Sequence, residues 1–342
     1  MRSPGPAFRV LSAAWPSVGI MSTGVDIDVE GIGPQPATPS DEASEAAHEV
    51  VDAFAGLNRY NSLSPSRASD FMSCPLLYRF RVIDKLPETP SIDAVRGSVV
   101  HKVLEDLFDL PAVERTHDRA NLLLPDIWEH VLEESPELAE MFAEAATDGA
   151  EATGTDLATW LDQCRSLLGR YFTLEDPQRL EPAEREVHVA TQLESGLTIH
   201  GYIDRVDVAP TGEVRIVDYK TGRSPGEHFE AKALFQMKFY ALVVWRTRGV
   251  IPRMLQLVYL GNAEMLRYEP DERDLLATER KVLALWEAIQ RAVDSGDFRP
   301  NKSVLCGWCD HQAICPAWGG TPPPIPPRDG RSEETESPAQ AQ

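Results

Sequence analysis

Strand-like patterns of apolar and polar positions recur in the second half of the chain: EREVHVATQL from Glu184, LTIHGYIDRVDV from Leu197, VRIVDYK from Val214 and MLQLVYL from Met254. The first two alternate with a period of two, which predicts half-buried strands. Helical spacing governs GSVVHKVLEDLF from Gly97, FQMKFYALVVW from Phe235 and a long segment from about Asp271 to Ser295. Between the second and third strands, Ala209, Pro210, Thr211 and Gly212 have the turn chemistry of a hairpin. These elements predict an α/β protein, a mixed central sheet flanked by helices, with a helical insertion at about 105–165.

The hairpin carries the candidate chemistry. Asp218 and Lys220 stand two apart on one strand and so point the same way. Pairing Val208 with Glu213 sets Asp204 opposite Val217, adjacent to Asp218. Such neighbours lie roughly 4.5 to 8 Å apart, close enough for two carboxylates to share one divalent cation. His101 and Glu105 fall one turn apart on one helical face, where a neutral imidazole is a ready metal ligand. Gln236 and Tyr240 form a polar pair four apart on an otherwise apolar helix. The plain alternative is a set of solvated charges on a hairpin and a polar pair without function. Phosphodiester hydrolysis suits the set: it needs an activated water and a counter-charge for the phosphate, and a carboxylate-held Mg²⁺ or Mn²⁺ supplies both. Lys220 could orient or deprotonate the water, or stabilise charge on the phosphate. Glu105 and Glu186 are further candidate carboxylates, each read as a surface residue or a support for the ligands.

Cysteine usage adds a second centre. Five cysteines in 342 residues do not make a secreted disulfide scaffold. Cys306, Cys309 and Cys315 cluster near the C-terminus, and Cys74 is a possible fourth ligand; four thiolates would hold a [4Fe-4S] cluster. The rival is structural Zn²⁺ on Cys306, Cys309, His311 and Cys315. Cys164, alone in WLDQCRSLLGRYF, reads as a buried helix thiol.

Composition, at 42% hydrophobic and 25% charged, is that of an ordinary soluble globular protein. No apolar run is long enough to span a membrane. Pro4, Pro6 and Pro16 break any secretory apolar region, so the expected location is cytoplasmic, and Met21 is an alternative start. Residues 1–56 and the Pro-rich 319–342 read as disordered extensions around a domain at 57–318. Net charge is the objection to a nucleic-acid partner: 54 acids against 33 Lys plus Arg give −21. From Arg59 to Lys102, however, seven basic residues outnumber four acidic ones, a local +3. Acid is concentrated from Glu105 to Asp156, which reads as a solvated outer face or helical subdomain that repels DNA and helps orient it. Arg67, Arg79 and Arg81, with Tyr78 and Phe80 interleaved, could contact phosphates and stack on unpaired bases, or could be helix-surface charges over a core.

Taken in order, SPSRASDFMSCPLLYRFR, GSVVHKVLE, GYIDRVD, IVDYKTG and QMKFYA resemble the motifs of RecB-family nucleases, within the PD-(D/E)XK superfamily, over about residues 62–317. The cysteines make the chain most like the iron-sulfur branch, which includes CRISPR-associated four-cysteine exonucleases and the AddB-type nuclease domain. One departure is that the first proline-aspartate of the family name stands here as Ile203-Asp204. The resemblance implies a restriction-endonuclease-like fold in which His101, Asp204, Asp218 and the Tyr219 carbonyl bind Mg²⁺ or Mn²⁺. Lys220 would assist the attacking water, and Gln236 and Tyr240 would shape the DNA side. It favours a [4Fe-4S] cluster on Cys74, Cys306, Cys309 and Cys315, stapling the N- and C-terminal parts together. The expected activity is that of a metal-dependent DNA nuclease, an exonuclease at ends or single strands in repair or recombination. No helicase motif is present, so the chain would act alone or lend its nuclease to a partner, such as a helicase or other repair protein. A catalytically silent DNA-binding module is the alternative; an iron-sulfur electron carrier would leave the aspartate hairpin unexplained.

Overall fold

The chain enters the sheet through the two-residue strand β1 (Ser62–Leu63) and turns at once into α1 (Pro65–Ser73). Ser64 caps that helix by accepting from Arg67 N, and Pro65 occupies its first turn, where no amide hydrogen is needed. A short α2 (Pro75–Tyr78) continues through a widened π turn at Arg79–Ile83. Three helices follow: α3 (Ile92–Leu107), α4 (His117–Glu134) and α5 (Leu157–Leu174), capped by Ser91, Thr116 and Asp156. Then come β2 (Glu184–Gln192), β3 (Thr198–Val208), β4 (Val214–Lys220), α6 (Glu230–Arg248), β5 (Met254–Tyr259), β6 (Glu264–Tyr268) and α7 (Glu272–Ser295). A reciprocal Asp271–Asp274 cap starts α7, and Gly296, at φ 69°, ends it.

This computed structural model describes residues 60–142, 156–226 and 230–327. The expected extension 1–56, with Met21 and the three early prolines, lies outside the described residues, as do 143–155 and the tail beyond 327. The described residues form one compact unit. The start of the tail read as disordered packs on the domain: Arg79 donates to the Pro323 carbonyl. Among the described residues no helix is long and apolar enough to cross a membrane.

The sheet has six strands and is mixed. β2 runs antiparallel along one edge of β3, while the other edge is shared by β4, antiparallel, and β1, parallel. β5 returns parallel to β4 after α6, and β6 pairs antiparallel with β5. Two cores cover the two faces. On one, Phe239 and Leu242 of α6 and Val282 and Ile289 of α7 bury against Ile203, Val206, Ile216 and Leu257. On the other, Val99, Val103, Leu124, Trp160 and Leu168 bury against Val217, Tyr219 and Val258. The acidic stretch read as an insertion is therefore this second helical layer. Its apolar stripes complete the domain core.

The hairpin register differs from the sequence expectation by one residue. Val208 pairs with Val214, not Glu213, and Arg205 pairs with Val217. Glu213 is used in the turn instead: Ala209 N donates to its carbonyl, and Gly212 closes the loop at φ 88°, a conformation that suits glycine. Continued by one position, the true register sets Asp204 across from Asp218, closer than expected.

Candidate metal centre

β3 and β4 part beyond the Arg205–Val217 pair, and a side chain fills the opening: Tyr219 N donates to Asp204 Oδ2 at 2.6 Å. On the opposite edge, Arg185 pairs with Arg205 and Val187 with Ile203, which leaves Glu186 facing Asp204. Glu186 has φ 42°, unusual for a residue with a Cβ. Side-chain alternation changes phase here, since Ile203 and Val206 both enter the core beneath α6. The kink turns Asp204 and Glu186 towards α3. His101 on that helix places Nδ1 3.6 Å from Asp204 Oδ2 and 3.8 Å from Glu186 Oε1, and Nε2 2.9 Å from the Tyr219 carbonyl oxygen. One ligand atom from each of His101, Glu186 and Asp204 lies within 4.8 Å of the others. Imidazole, carboxylates and a carbonyl are a donor set suited to a hard or borderline divalent cation.

Asp218 is set one layer behind. Its side chain is 2% exposed, with Lys220 Nζ 2.7 Å from Oδ2 and Gln236 Nε2 donating to Oδ1 at 3.1 Å. Gln236 Oε1 accepts from Lys220 at 3.1 Å, and Gln236 Nε2 also donates to Tyr240 OH at 3.1 Å. The polar pair on α6 thus faces inward and orients the acid and amine of the hairpin. Gly201 makes room for it, because a Cβ there would stand 2.6 Å from Tyr240 Cε1. Burial, followed by the charge of Asp218, pushes the Asp204 carboxyl up to about 7. Burial acts to lower the Lys220 ammonium, but Asp218 and then Asp204 outweigh it and hold it above its usual range. His101 behaves alike: burial is opposed by the Glu186 hydrogen bond and by the charges of Asp204 and Asp218, leaving the ring raised.

Other candidates are placed elsewhere. Glu105 pairs with Lys102 at 3.0 Å. Tyr78 and Phe80 are buried, at 0% and 2% exposure, and cannot stack on a base. Arg79, itself buried, pairs with Asp84 at 3.0 Å, and the more exposed Arg81 pairs with Asp70 at 2.7 Å and Glu88 at 2.8 Å. Arg67 donates to Ser62 Oγ at 3.0 Å, beside the sheet. Glu186, outside the core assignment made from sequence, is the carboxylate nearest the imidazole after Asp204. Its signal in the sequence is a strand acid positioned opposite Asp204, visible only once the β2–β3 register is known.

Cys74, Cys306, Cys309 and Cys315 line one cavity of about 60 Å³. Asn301 ties the two chain regions together, its amide N donating to Cys74 Sγ at 3.4 Å and its Nδ2 to the Ser73 carbonyl at 2.9 Å. Burial, with the nearby Cys306, Cys315 and Cys74, raises the Cys309 thiol, as expected for sulfurs sharing one local field. His311 is not part of this group: Nε2 lies 3.0 Å from Glu88 Oε1, and the ring packs on Phe80. His311 is not among the residues that line the cysteine cavity, which favours the four-cysteine set over a zinc site using His311. Cys164 is fully buried in α5, and burial raises its thiol to about 12.

A "Gene 69 protein" of Mycobacterium phage L5 is 30% identical over 126 residues, 36% of this chain and 41% of that protein. The "Gene 69 protein" of Mycobacterium phage D29 is 24% identical over 269 residues, 75% of this chain and 96% of its own length. A crystal structure named "Putative exonuclease", from Eubacterium rectale, aligns over 82% of this chain and 94% of its own at TM-score 0.49 and 16% identity. The family model for the PD-(D/E)XK nuclease superfamily matches residues 62–316, which take in the hairpin, the α3 histidine and the α6 glutamine; the chain belongs to that superfamily.

Proposed function

We propose that this chain is a divalent-metal-dependent DNA nuclease, an exonuclease acting at ends or on single strands. The observation that carries this reading is uncompensated charge at the hairpin: Asp204, Asp218 and Glu186 set three carboxylates against one ammonium, Lys220. His101, Asp204, Asp218 and the Tyr219 carbonyl would hold Mg²⁺ or Mn²⁺, with Glu186 as a further ligand or support. When bound, the cation supplies Lewis acidity towards water and the phosphate oxygens. Lys220, pinned between Asp218 and Gln236, presents its ammonium to the attacking water and the phosphate. Gln236 and Tyr240 keep that acid–amine pair aligned, and burial beneath α6 keeps water from screening it.

The cysteine cavity supports a structural [4Fe-4S] cluster on Cys74, Cys306, Cys309 and Cys315. Four sulfurs around one zinc at about 2.3 Å would stand roughly 3.8 Å apart. Among the described residues no three cysteine sulfurs lie within 4.8 Å of one another. The cluster would join the end of α1 to residues 306–315 and hold the nuclease core closed. Anaerobic protein should contain about four irons per chain, and Cys74→Ser should lose them. A role in repair or recombination, beside a helicase partner, follows the resemblance to RecB-family enzymes.

The test is degradation of end-labelled single- and double-stranded DNA by anaerobically purified protein in Mn²⁺ or Mg²⁺, beside the Asp218→Ala, Lys220→Ala double variant. Metal-dependent cleavage confined to wild type is expected, and the labelled products give polarity. Cleavage that persists in the variant would move the site off the hairpin. DNA binding without cleavage by wild type would favour the silent binding module.

A further inference from the structure

Resting on the nuclease reading, we propose that the open face of β2 and β3 beside the metal centre is a stacking platform for the bases of an unpaired DNA strand. Tyr202 and His188 face each other in register with ring centroids 4.9 Å apart, and His188 lies 5.7 Å from His200. The rings continue directly from the carboxylates: Tyr202 is two residues before Asp204 on β3, and His188 is two after Glu186 on β2. Two residues of strand span about 7 Å, which at about 3.4 Å per stacked nucleotide is a step of one or two nucleotides from the metal.

This face is open because the apolar core of α3, α4 and α5 packs on Val217, Tyr219, Val258 and Leu260, and α3 meets β2 and β3 only at their Arg185–Glu186 and Asp204 end. Tyr202 is 61% exposed although it sits mid-strand. The strip has little aliphatic surface to offer a protein partner. Tyr202 and His188 offer flat rings with polar edges, while the ring nitrogens of His200 are buried, and Arg67 stands close enough for its charge to act on His200. Rings for bases and a guanidinium for phosphate match a single strand, whose bases have free π faces; a duplex keeps them stacked on each other. The net charge of −21 also matters. Phosphate attraction is weak on such a chain, so base stacking has to carry a large share of the affinity.

The test uses the full chain in Ca²⁺, with anisotropy of a labelled thymidine oligonucleotide and of a tetrahydrofuran abasic strand of the same length. Wild type should prefer the base-bearing strand by about tenfold or more. The Tyr202→Ala, His188→Ala double variant should lose the preference, and Tyr202→Phe should keep it. An equal affinity of wild type for both strands, or a preference that survives the double alanine variant, overturns the platform. Wild-type cleavage of the base-bearing strand in Mn²⁺ tests the nuclease reading by itself. Cleavage without preference sinks only the platform; preference without cleavage supports the platform and sinks only the nuclease.

Discussion

Two charged clusters share β3 and β4 one residue apart in sequence, and they solve burial in opposite ways. Around Arg205, Glu175 accepts at 2.8 Å and Asp207 lies at 3.1 Å, while Arg215 reaches Asp207 at 2.7 Å. Gln256 donates to Glu175 at 2.8 Å, and Arg205 also donates to Tyr219 OH. Two buried guanidiniums meet two buried carboxylates, and the cluster needs nothing more. At the next position, Asp204 joins Asp218 and Glu186 against Lys220, three carboxylates to one ammonium beside the His101 ring; with Asp204 ionised and the imidazole neutral, as metal binding requires, the balance is −2. Buried charge without a partner is costly, and one divalent cation would close this balance. Burial of ionic groups is thus common to both clusters; the missing counter-charge separates a candidate site from a structural network.

Removing a cation from the balanced cluster should have the largest effect. Arg205→Met leaves two buried carboxylates, Glu175 and Asp207, to one guanidinium, Arg215, and should cost about 3–5 kcal/mol in urea unfolding. A loss below about 1 kcal/mol would mean the network is not what holds those strands. The other cluster should respond to metal. Mn²⁺ at a hundred times its Kd should raise wild-type stability by about 2.7 kcal/mol, reversed by chelation. Glu186→Gln should weaken Mn²⁺ binding by about 10- to 100-fold if Glu186 supports the ligands; unchanged affinity would return it to the surface role read from sequence.

pH sharpens the contrast further. The Asp204 carboxyl is raised to about 7 from 3.8, so the metal-free fold keeps that proton until near neutrality. The cation must displace it, and apparent Mn²⁺ affinity should fall by up to about tenfold per pH unit below about 7. Binding independent of pH between 5 and 7 would count against Asp204 as a ligand. Away from the carboxylates, burial, then Arg67 and His188, lower His200 to about 4 from 6.5. Its folded value lies below its unfolded one, so its contribution is complete above about pH 6.5 and is lost as pH falls towards 4. His200→Phe should reduce the drop in Tm over that window.

The strands at 184–192, 198–208, 214–220 and 254–259 were legible because each exceeds five residues and carries its own pattern. Two strands were not. β1 has only two residues, and β6 depends on a tight turn at Ala263, with φ 53°. His101, Asp204, Asp218 and Lys220 stood out by residue type and order, yet GYIDRVDV holds two aspartates, and residue pattern alone does not separate the candidate ligand Asp204 from the network acid Asp207. The kink at Glu186 and Asp204 does so, and a kink is a property of two strands together. The aromatic residues of the SPSRASDFMSCPLLYRFR motif failed as a stacking surface for a related reason. Their apolar faces belong to the core under α6, a contact made between residues far apart in the chain.

The most direct test of the charge argument is calorimetric titration of Mn²⁺ into metal-free wild type and Asp204→Asn at pH 7.5, with unfolding midpoints showing both folded. The account predicts binding to wild type, with proton release near pH 7, and a large loss of affinity in Asp204→Asn, whose metal-free form is no less stable than wild type. Equal affinity in the two proteins would contradict it.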